Sequence, residues 1–216
     1  MPNSKAGLQS ILWTTRLCLI PLSPAHFEHL ALLDGDPEVM RFVGNGRARS
    51  RDEVLARCPD YMARALPVAG LGMWIGFLRA SGLQDPALVG PFVGWWLLQP
   101  PQQAHQKEHQ EESGHAELGY RLIRSYWRQG FAKEGSRELL RHGFEDLQLR
   151  SIFAETMAVN EASRATMVSV GMTHARTFFL DFGNDTIAGA ESGEVGYRIT
   201  KREWEAANGT RPSDLP

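Results

Sequence analysis

Strand-length and helix-length segments alternate along this chain in the order β-α-α-β-β-β-α-β-α-β-β, which predicts one mixed α/β (α+β) domain. Two strand-like runs, 72–78 and 88–98, are rich in Trp, Phe and Val and succeed each other as a hairpin or meander. A helix-length amphipathic pattern over 131–147 follows a strand-like run at 115–123 after a very short connection. No segment repeats elsewhere in the chain.

The elements follow from local signals. Residues 1–13 read as a flexible tail, and the domain as 14–207. Residues 16–22 alternate and are bounded by Pro21 and Pro24, which predicts a strand with Leu17, Leu19 and Pro21 as candidates for one face. A helix runs from Pro24 to about Leu33. Asp36-Pro37 caps and opens a short helix through Val43, which Gly44 to Gly46 break. Ser50 and Glu53 form a capping box for a helix to about Leu66, which Pro59 is expected to interrupt or split. Residues 99–113, QPPQQAHQKEHQEES, are polar and of low complexity. They read as a surface insertion too poor in apolar surface to order itself.

Beyond the insertion, Ala132, Leu139, Leu140, Gly143, Phe144 and Leu147 share one face of the 131–147 helix, and Lys133, Arg137, Arg141 and Glu145 share the other. A strand is expected at 151–157. Asn160 caps a helix to about Val170, which Gly171 ends. Strands follow at 172–180 and 194–199, separated by a long loop. Thr200 caps a terminal helix around Trp204, and 208–216 is a tail. Trp95 and Trp96 point to opposite faces of their strand, so one is expected in the core and the other is a candidate pocket wall.

Composition narrows the function classes. The chain has 216 residues and a formal net charge of −2, with no block of like charges, which argues against nucleic-acid binding by bulk electrostatics. No apolar run reaches the roughly 20 residues that a membrane span requires. The first ten residues lack a signal-peptide-like apolar stretch. Cys18 and Cys58 have no CxxC or framework spacing and read as reduced thiols, so a cytoplasmic protein is expected.

The strongest chemical signal is the strand, loop and helix at 115–147. The first amides of a helix have no internal partner and sit at the positive end of its dipole, so a diphosphate can bind there without a lysine. Gly130 removes a side chain where the ligand must approach, Ala132 stays small, and Arg124 and Arg128 add positive charge. The loop is neither a Walker A motif nor a G-x-G-x-x-G fingerprint. A plain strand-to-helix turn has the same residue types.

The run Tyr126-Trp127-Arg128-Gln129-Gly130-Phe131-Ala132-Lys133-Glu134 resembles the coenzyme-A pyrophosphate loop of the GNAT acetyltransferase superfamily, and in particular its RimJ/RimL-like branch. The pattern around Arg16 to Pro21, the Asp36-to-Phe42 segment, Asn160 and Ser163 through Met172, and Gly189 to Tyr197 match in order, from about Thr14 to Trp204. The resemblance implies a mostly antiparallel mixed sheet, flanked by helices, whose central parallel strands near 115–123 and 151–157 splay apart. It implies acetyl-CoA as the donor, with the pantetheine arm lying in the gap against the main chain of Leu122, Ile123 and Arg124. The phosphates would rest on Trp127, Arg128, Gln129, Gly130, Phe131, Ala132 and Lys133, and a main-chain amide near Ile123 would hold the oxyanion. It also implies that Asn160 contacts pantetheine and that Ser163 lies near the sulfur. A homodimer is frequent in such proteins.

Chemistry sets the remaining roles. An attacking amine must lose a proton, and Glu117 is the candidate base, with Tyr120 and Glu194 as alternatives. Expulsion of a thiolate calls for a donor, for which Ser163 is the candidate. Asn160 also reads simply as a helix cap, Ser163 as a first-turn residue, and Glu117 as an exposed strand residue. Neither cysteine has a recognisable His or Asp partner in sequence, so a covalent route is disfavoured. His105 and His109 lack the H-E-x-x-H pattern, so no metal is expected. The predicted function is acetyl transfer to a primary amine of a small molecule or a protein N-terminus. The alternative is a non-catalytic acyl-CoA-binding sensor or interaction module.

Overall fold

The computed structural model describes residues 9–63, 68–79, 85–106, 113–180 and 187–209. Eight strands form one sheet in the order β1-β2-β3-β4-β5-β6-β8-β7. In chain order they are β1 (Leu12–Trp13), β2 (Leu17–Pro21), β3 (Gly72–Arg79), β4 (Val89–Gln99), β5 (His115–Leu122), β6 (Ser151–Met157), β7 (Thr173–Phe178) and β8 (Glu194–Thr200). Only β5 and β6 pair in parallel; the other neighbours are antiparallel. The helices are α1 (Phe27–Asp34), α2 (Pro37–Met40), α3 (Arg51–Ala63), α4 (Phe131–Arg141), α5 (Glu161–Ser169) and α6 (Lys201–Asn208).

Local caps place these helices. Asp36 accepts from the Glu38 amide at 2.9 Å. Ser50 and Glu53 exchange their capping-box bonds at 2.7 and 3.3 Å, and Thr200 and Glu203 do the same. Pro59 does not split α3. It lies on the exposed side, so the carbonyl it leaves without a donor is near water, and the helix continues to Ala63. Residues 64–66, the expected end of that helix, lie outside the described residues. The amphipathic run from 131 is α-helical to Arg141 and finishes in a single π turn over His142–Asp146.

Residues 9–13 are docked rather than loose. Leu12 is buried and pairs with Leu19, and the Trp74 indole donates to the Ser10 carbonyl at 2.9 Å. The sheet is covered on both faces, so both adjacent tryptophans are buried. Trp96 packs with Leu139, Leu140 and Phe144 under α4, whereas Trp95 packs with Leu30, Val54 and Cys58 under α1 and α3. The prediction that only one of the pair is in the core fails because it assumed a one-sided sheet.

Gly135 explains how closely α4 approaches the sheet. A Cβ there would fall 2.3 Å from the Trp96 ring, and the Trp96 indole donates to the Ala132 carbonyl at 3.3 Å. Trp96 therefore supports the first turn of α4 from below.

Candidate active site

The α4 N-terminus is open. Gly130 is its N-cap, at φ +83° in the left-handed region, and no side chain caps the helix there. The first intrahelical bond runs from the Glu134 amide to the Gly130 carbonyl at 3.0 Å, so the Phe131, Ala132 and Lys133 amides have no acceptor within the helix. Trp127, Arg128, Gln129 and Gly130 are exposed; Arg128 adds positive charge at the bend, and Arg124 beside it faces Asp36 at 3.8 Å. The donor set and the side-chain-free approach at Gly130 fit a diphosphate such as that of coenzyme A.

The bend is anchored from two sides. Arg16 donates from Nε to Glu134 Oε2 at 2.6 Å and from Nη1 to the Gln129 carbonyl at 3.0 Å, while its guanidinium covers the Phe131 ring at 4.1 Å. The Trp127 indole donates to the Leu122 carbonyl at 2.7 Å. These contacts join β2, β5 and the loop into one support.

β5 and β6 meet only briefly. Their parallel register covers His115, Ala116 and Glu117 against Ser151, Ile152 and Phe153, after which both strands continue unpaired with each other. Glu117 stands at the apex of this split. The Ile123 amide donates to the Val93 carbonyl at 2.9 Å, which fixes the antiparallel alternation along β5. It follows that the Tyr120 amide and carbonyl and the Leu122 amide point into the split. The Ile123 amide is spent on β4, the Leu122 carbonyl on Trp127, and the Arg124 carbonyl on the Trp127 amide. Of the expected edge at Leu122 to Arg124, the Ile123 amide is turned away, and the main-chain groups that face the split are the Tyr120 amide and carbonyl and the Leu122 amide, the last of these beside Ile123. The reason is the ladder with β4, which consumes alternate residues.

Two hydroxyls meet on the helix-covered face of the split. Tyr120 packs against the core beneath α4, and its Oη lies 3.0 Å from Ser163 Oγ and 3.1 Å from the Ser163 carbonyl. Burial pushes the phenol above its ordinary range, so it stays a protonated donor. Asn160 accepts from the Ser163 amide at 3.3 Å and donates to Thr156 Oγ1 at 3.0 Å, which makes it a cap.

Carboxylates gather on the opposite face. Glu117 accepts from Gln99 Nε2 at 2.9 Å, and burial pushes its carboxyl above the usual range, helped by the charge of Glu155. Glu155 is held down by Arg176 at 2.8 Å, Gln106 at 2.9 Å and His105 at 2.8 Å, against the opposing effect of its own burial. Glu194 is 8% exposed, and burial followed by the Glu155 charge pushes it up to about 7.

The described part of the insertion is ordered here. Ala104–Gln106 forms a 3-10 turn, Gln106 is fully buried, and His105 stacks on Phe178 with ring centroids 5.0 Å apart. Low-complexity composition concealed this, because the turn gains partners from β6 and β7 as well as from itself. His109 lies outside the described residues.

The structure thus brings Glu117 to the apex, Ser163 to the helix side, and Trp127 to Lys133 into one open bend. The Tyr120 contact with Ser163 and the Gln106 contact with Glu155 were missed from sequence. The signal that could have separated Tyr120 from Glu117 is strand alternation, which puts residues three apart on opposite faces. Cys18 and Cys58 are free and buried, and burial pushes the Cys18 thiol up to about 11, which suits inert thiols. Among the described residues, no group of three or more His, Cys, Asp or Glu side chains is placed to hold a metal ion. No helix among them is long and apolar enough to cross a membrane.

Comparison with known proteins agrees with this architecture. Residues 16–173 match the acetyltransferase (GNAT) domain. The chain is 42% identical over 197 residues to the FsC-acetyl coenzyme A-N(2)-transacetylase of Aspergillus fumigatus, covering 91% of this chain and 78% of that one. Among solved structures it shares the fold of spermidine N-acetyltransferase from Vibrio cholerae in complex with CoA and spermine, with a TM-score of 0.63, 14% identity, and coverage of 87% and 97%. It also shares that of RimL, a ribosomal L7/L12 alpha-N-protein acetyltransferase in complex with coenzyme A, with a TM-score of 0.65, 15% identity, and coverage of 88% and 98%.

The chain belongs to the GNAT acetyltransferase family. It is an acyl-CoA-dependent N-acetyltransferase whose donor is acetyl-CoA.

Proposed function

We propose that this enzyme acetylates a primary amine, of a small molecule or a protein N-terminus, by direct attack at the β5–β6 split. The parting of these strands beyond Glu117 is the observation that carries the reading, because it opens one gap between a carboxylate face and a hydroxyl face. The name of the Aspergillus relative places its own transfer at an N2 nitrogen, which supports an amine acceptor. The Trp127-to-Glu134 run supports a place beside the RimJ/RimL-like branch.

Bound acetyl-CoA supplies an activated thioester. The amides of Phe131, Ala132 and Lys133, with Trp127, Arg128, Gln129 and Gly130 around them and Arg124 beside them, hold its diphosphate. Tyr120 and Leu122, with Ile123 behind them, offer a main-chain edge to an extended arm in the manner of an added strand. Asn160 shapes the start of α5 and so places Ser163. The Glu117 carboxylate takes the proton that an ammonium must lose before it can attack. The Tyr120 and Ser163 hydroxyls hold a donatable proton on the far side, where the departing sulfur gains charge. The Asp34-to-Arg49 segment and the loop before Glu194 form acceptor walls; residues 181–186 of that loop lie outside the described residues.

Thiol release from acetyl-CoA, measured over a panel of polyamines, amino acids and peptides, tests the reading. Turnover with at least one amine is expected, and Glu117→Gln should lower it by about 10²-fold or more. Cofactor binding without turnover on any amine would favour the binding-module alternative.

A further inference from the structure

Arg16 reaches the phosphate bend from the turn between β1 and β2, and its guanidinium divides its donors. Nε donates to Glu134 Oε2 at 2.6 Å, while Nη1 donates to the Gln129 carbonyl at 3.0 Å. Glu134 holds the arginine at its root as well. Its Oε1 accepts from the Arg16 amide at 2.7 Å and from the Thr14 hydroxyl at 2.6 Å. The 129–130 peptide is trans, so its carbonyl and its N–H point in opposite directions. With the Gln129 carbonyl turned to Arg16, the Gly130 amide is turned away from it. That amide donates to no acceptor among the described residues, and it directly precedes the unpaired Phe131, Ala132 and Lys133 amides.

We infer that Arg16 is a positioning residue for coenzyme A: by holding the Gln129 carbonyl it keeps the Gly130 amide, with the three helix amides after it, available to the diphosphate. The inference rests on the diphosphate lying at this bend. The local chain does not fix the peptide by itself. Gly130 sits at φ +83°, and a glycine adopts either sign of φ about equally readily, so the 129–130 unit is free to turn over. Turned over, it would present the Gln129 oxygen where the Gly130 N–H now stands. A row of N–H groups attracts an anion, and a carbonyl oxygen among them repels it. The effect of Arg16 therefore passes through one peptide unit and requires no contact with the cofactor. Arginine suits the task because its planar fork offers donors at a fixed spacing, whereas lysine offers one nitrogen. The Phe131 ring, 4.1 Å below the guanidinium, keeps the fork flat against the start of α4.

Arg16→Met is the discriminating variant. It keeps an unbranched side chain against Phe131 and removes both donors. Isothermal titration should show coenzyme A bound about tenfold more weakly, the loss expected when the competent orientation falls to about one-tenth of the population. Pantetheine, which has the arm but no diphosphate, should bind as it does to wild type. A general loosening of the sheet would weaken both ligands. An equal loss for the two therefore overturns the inference, and so does an unchanged Kd for coenzyme A. Should that variant not fold, Arg16→Lys keeps the charge but cannot span Glu134 and Gln129. It should lose about threefold in coenzyme-A affinity, and an unchanged Kd counts equally against the inference. Gln129→Glu tests the placement of the diphosphate separately, because it adds negative charge at the bend and should weaken coenzyme A but not pantetheine. Wild-type coenzyme-A affinity in Gln129→Glu would sink that placement itself. A loss in Gln129→Glu beside an unaffected Arg16→Met protein would sink only the role of Arg16.

Discussion

Tyr120 Oη lies 3.0 Å from Ser163 Oγ, joining β5 to the first turn of α5 across one face of the split. The two residues are 43 positions apart, so the pair exists only through the packing of α5 on the sheet. It gives the leaving-group side two linked hydroxyls where sequence alone offered one.

Tyr120→Phe and Ser163→Ala should each lower kcat for thiol release by roughly 10²-fold, with acetyl-CoA affinity nearly unchanged. Because the hydroxyls share a hydrogen bond, the double variant should lose less than the product of the two. Steady-state kinetics on the three variants checks this, and losses that multiply would argue for independent roles.

Trp127→Phe removes the indole donor from the Leu122 carbonyl while keeping an aromatic ring. Losing one hydrogen bond that ties the phosphate bend to β5 should weaken coenzyme-A binding by about 1 kcal/mol, roughly fivefold in Kd. Isothermal titration reads it directly, and unchanged affinity would mean the bend holds its shape without this tie.

Stability should depend on Glu194. Burial and then the Glu155 charge push its carboxyl up to about 7 in the folded chain, above the ordinary 4.5. Between those values the folded chain binds more protons at this group than the unfolded chain does. The Glu194 contribution to stability is therefore favourable below this window and is lost as pH rises through it. Glu194→Gln should flatten that part of the dependence and stabilise the protein relative to wild type at pH 8. Thermal melts from pH 4 to 8 check this, and a parallel profile for the variant would contradict it.

Asp34 should be a structural keystone of the acceptor side. It is 2% exposed and pairs with Arg49 at 2.8 Å and with Arg121 of β5. Asp34→Asn leaves two little-exposed guanidiniums without their counter-charge, and the expected cost is about 3–5 kcal/mol. Urea denaturation measures it, and a change below about 1 kcal/mol would show that the arginines find other partners.

Several features were legible because their causes lie within four residues. The Ser50–Glu53 and Thr200–Glu203 boxes, the Asp36 and Asn160 caps and the Gly130 start of α4 all appear where residue type and spacing place them. The open bend was likewise readable, from Gly130 and Ala132 beside a helix start, and Glu117 stood out as a candidate from its charge and its place on the strand. Pro59 misled because residue type does not tell which side of a helix meets water. Gln106 misled because a polar low-complexity segment shows no means of ordering itself, and its partners Glu155 and Arg176 come from other strands.

From the chain alone come most of the succession of elements, the capped helix starts and the open bend at Gly130, since each depends on neighbours in sequence. Tertiary structure alone decided which main-chain groups stay free along β5, that both Trp95 and Trp96 are enclosed, and that Tyr120 meets Ser163 while Gln106 meets Glu155. Those outcomes depend on which strands lie side by side and on which faces are covered, and no local propensity carries that information.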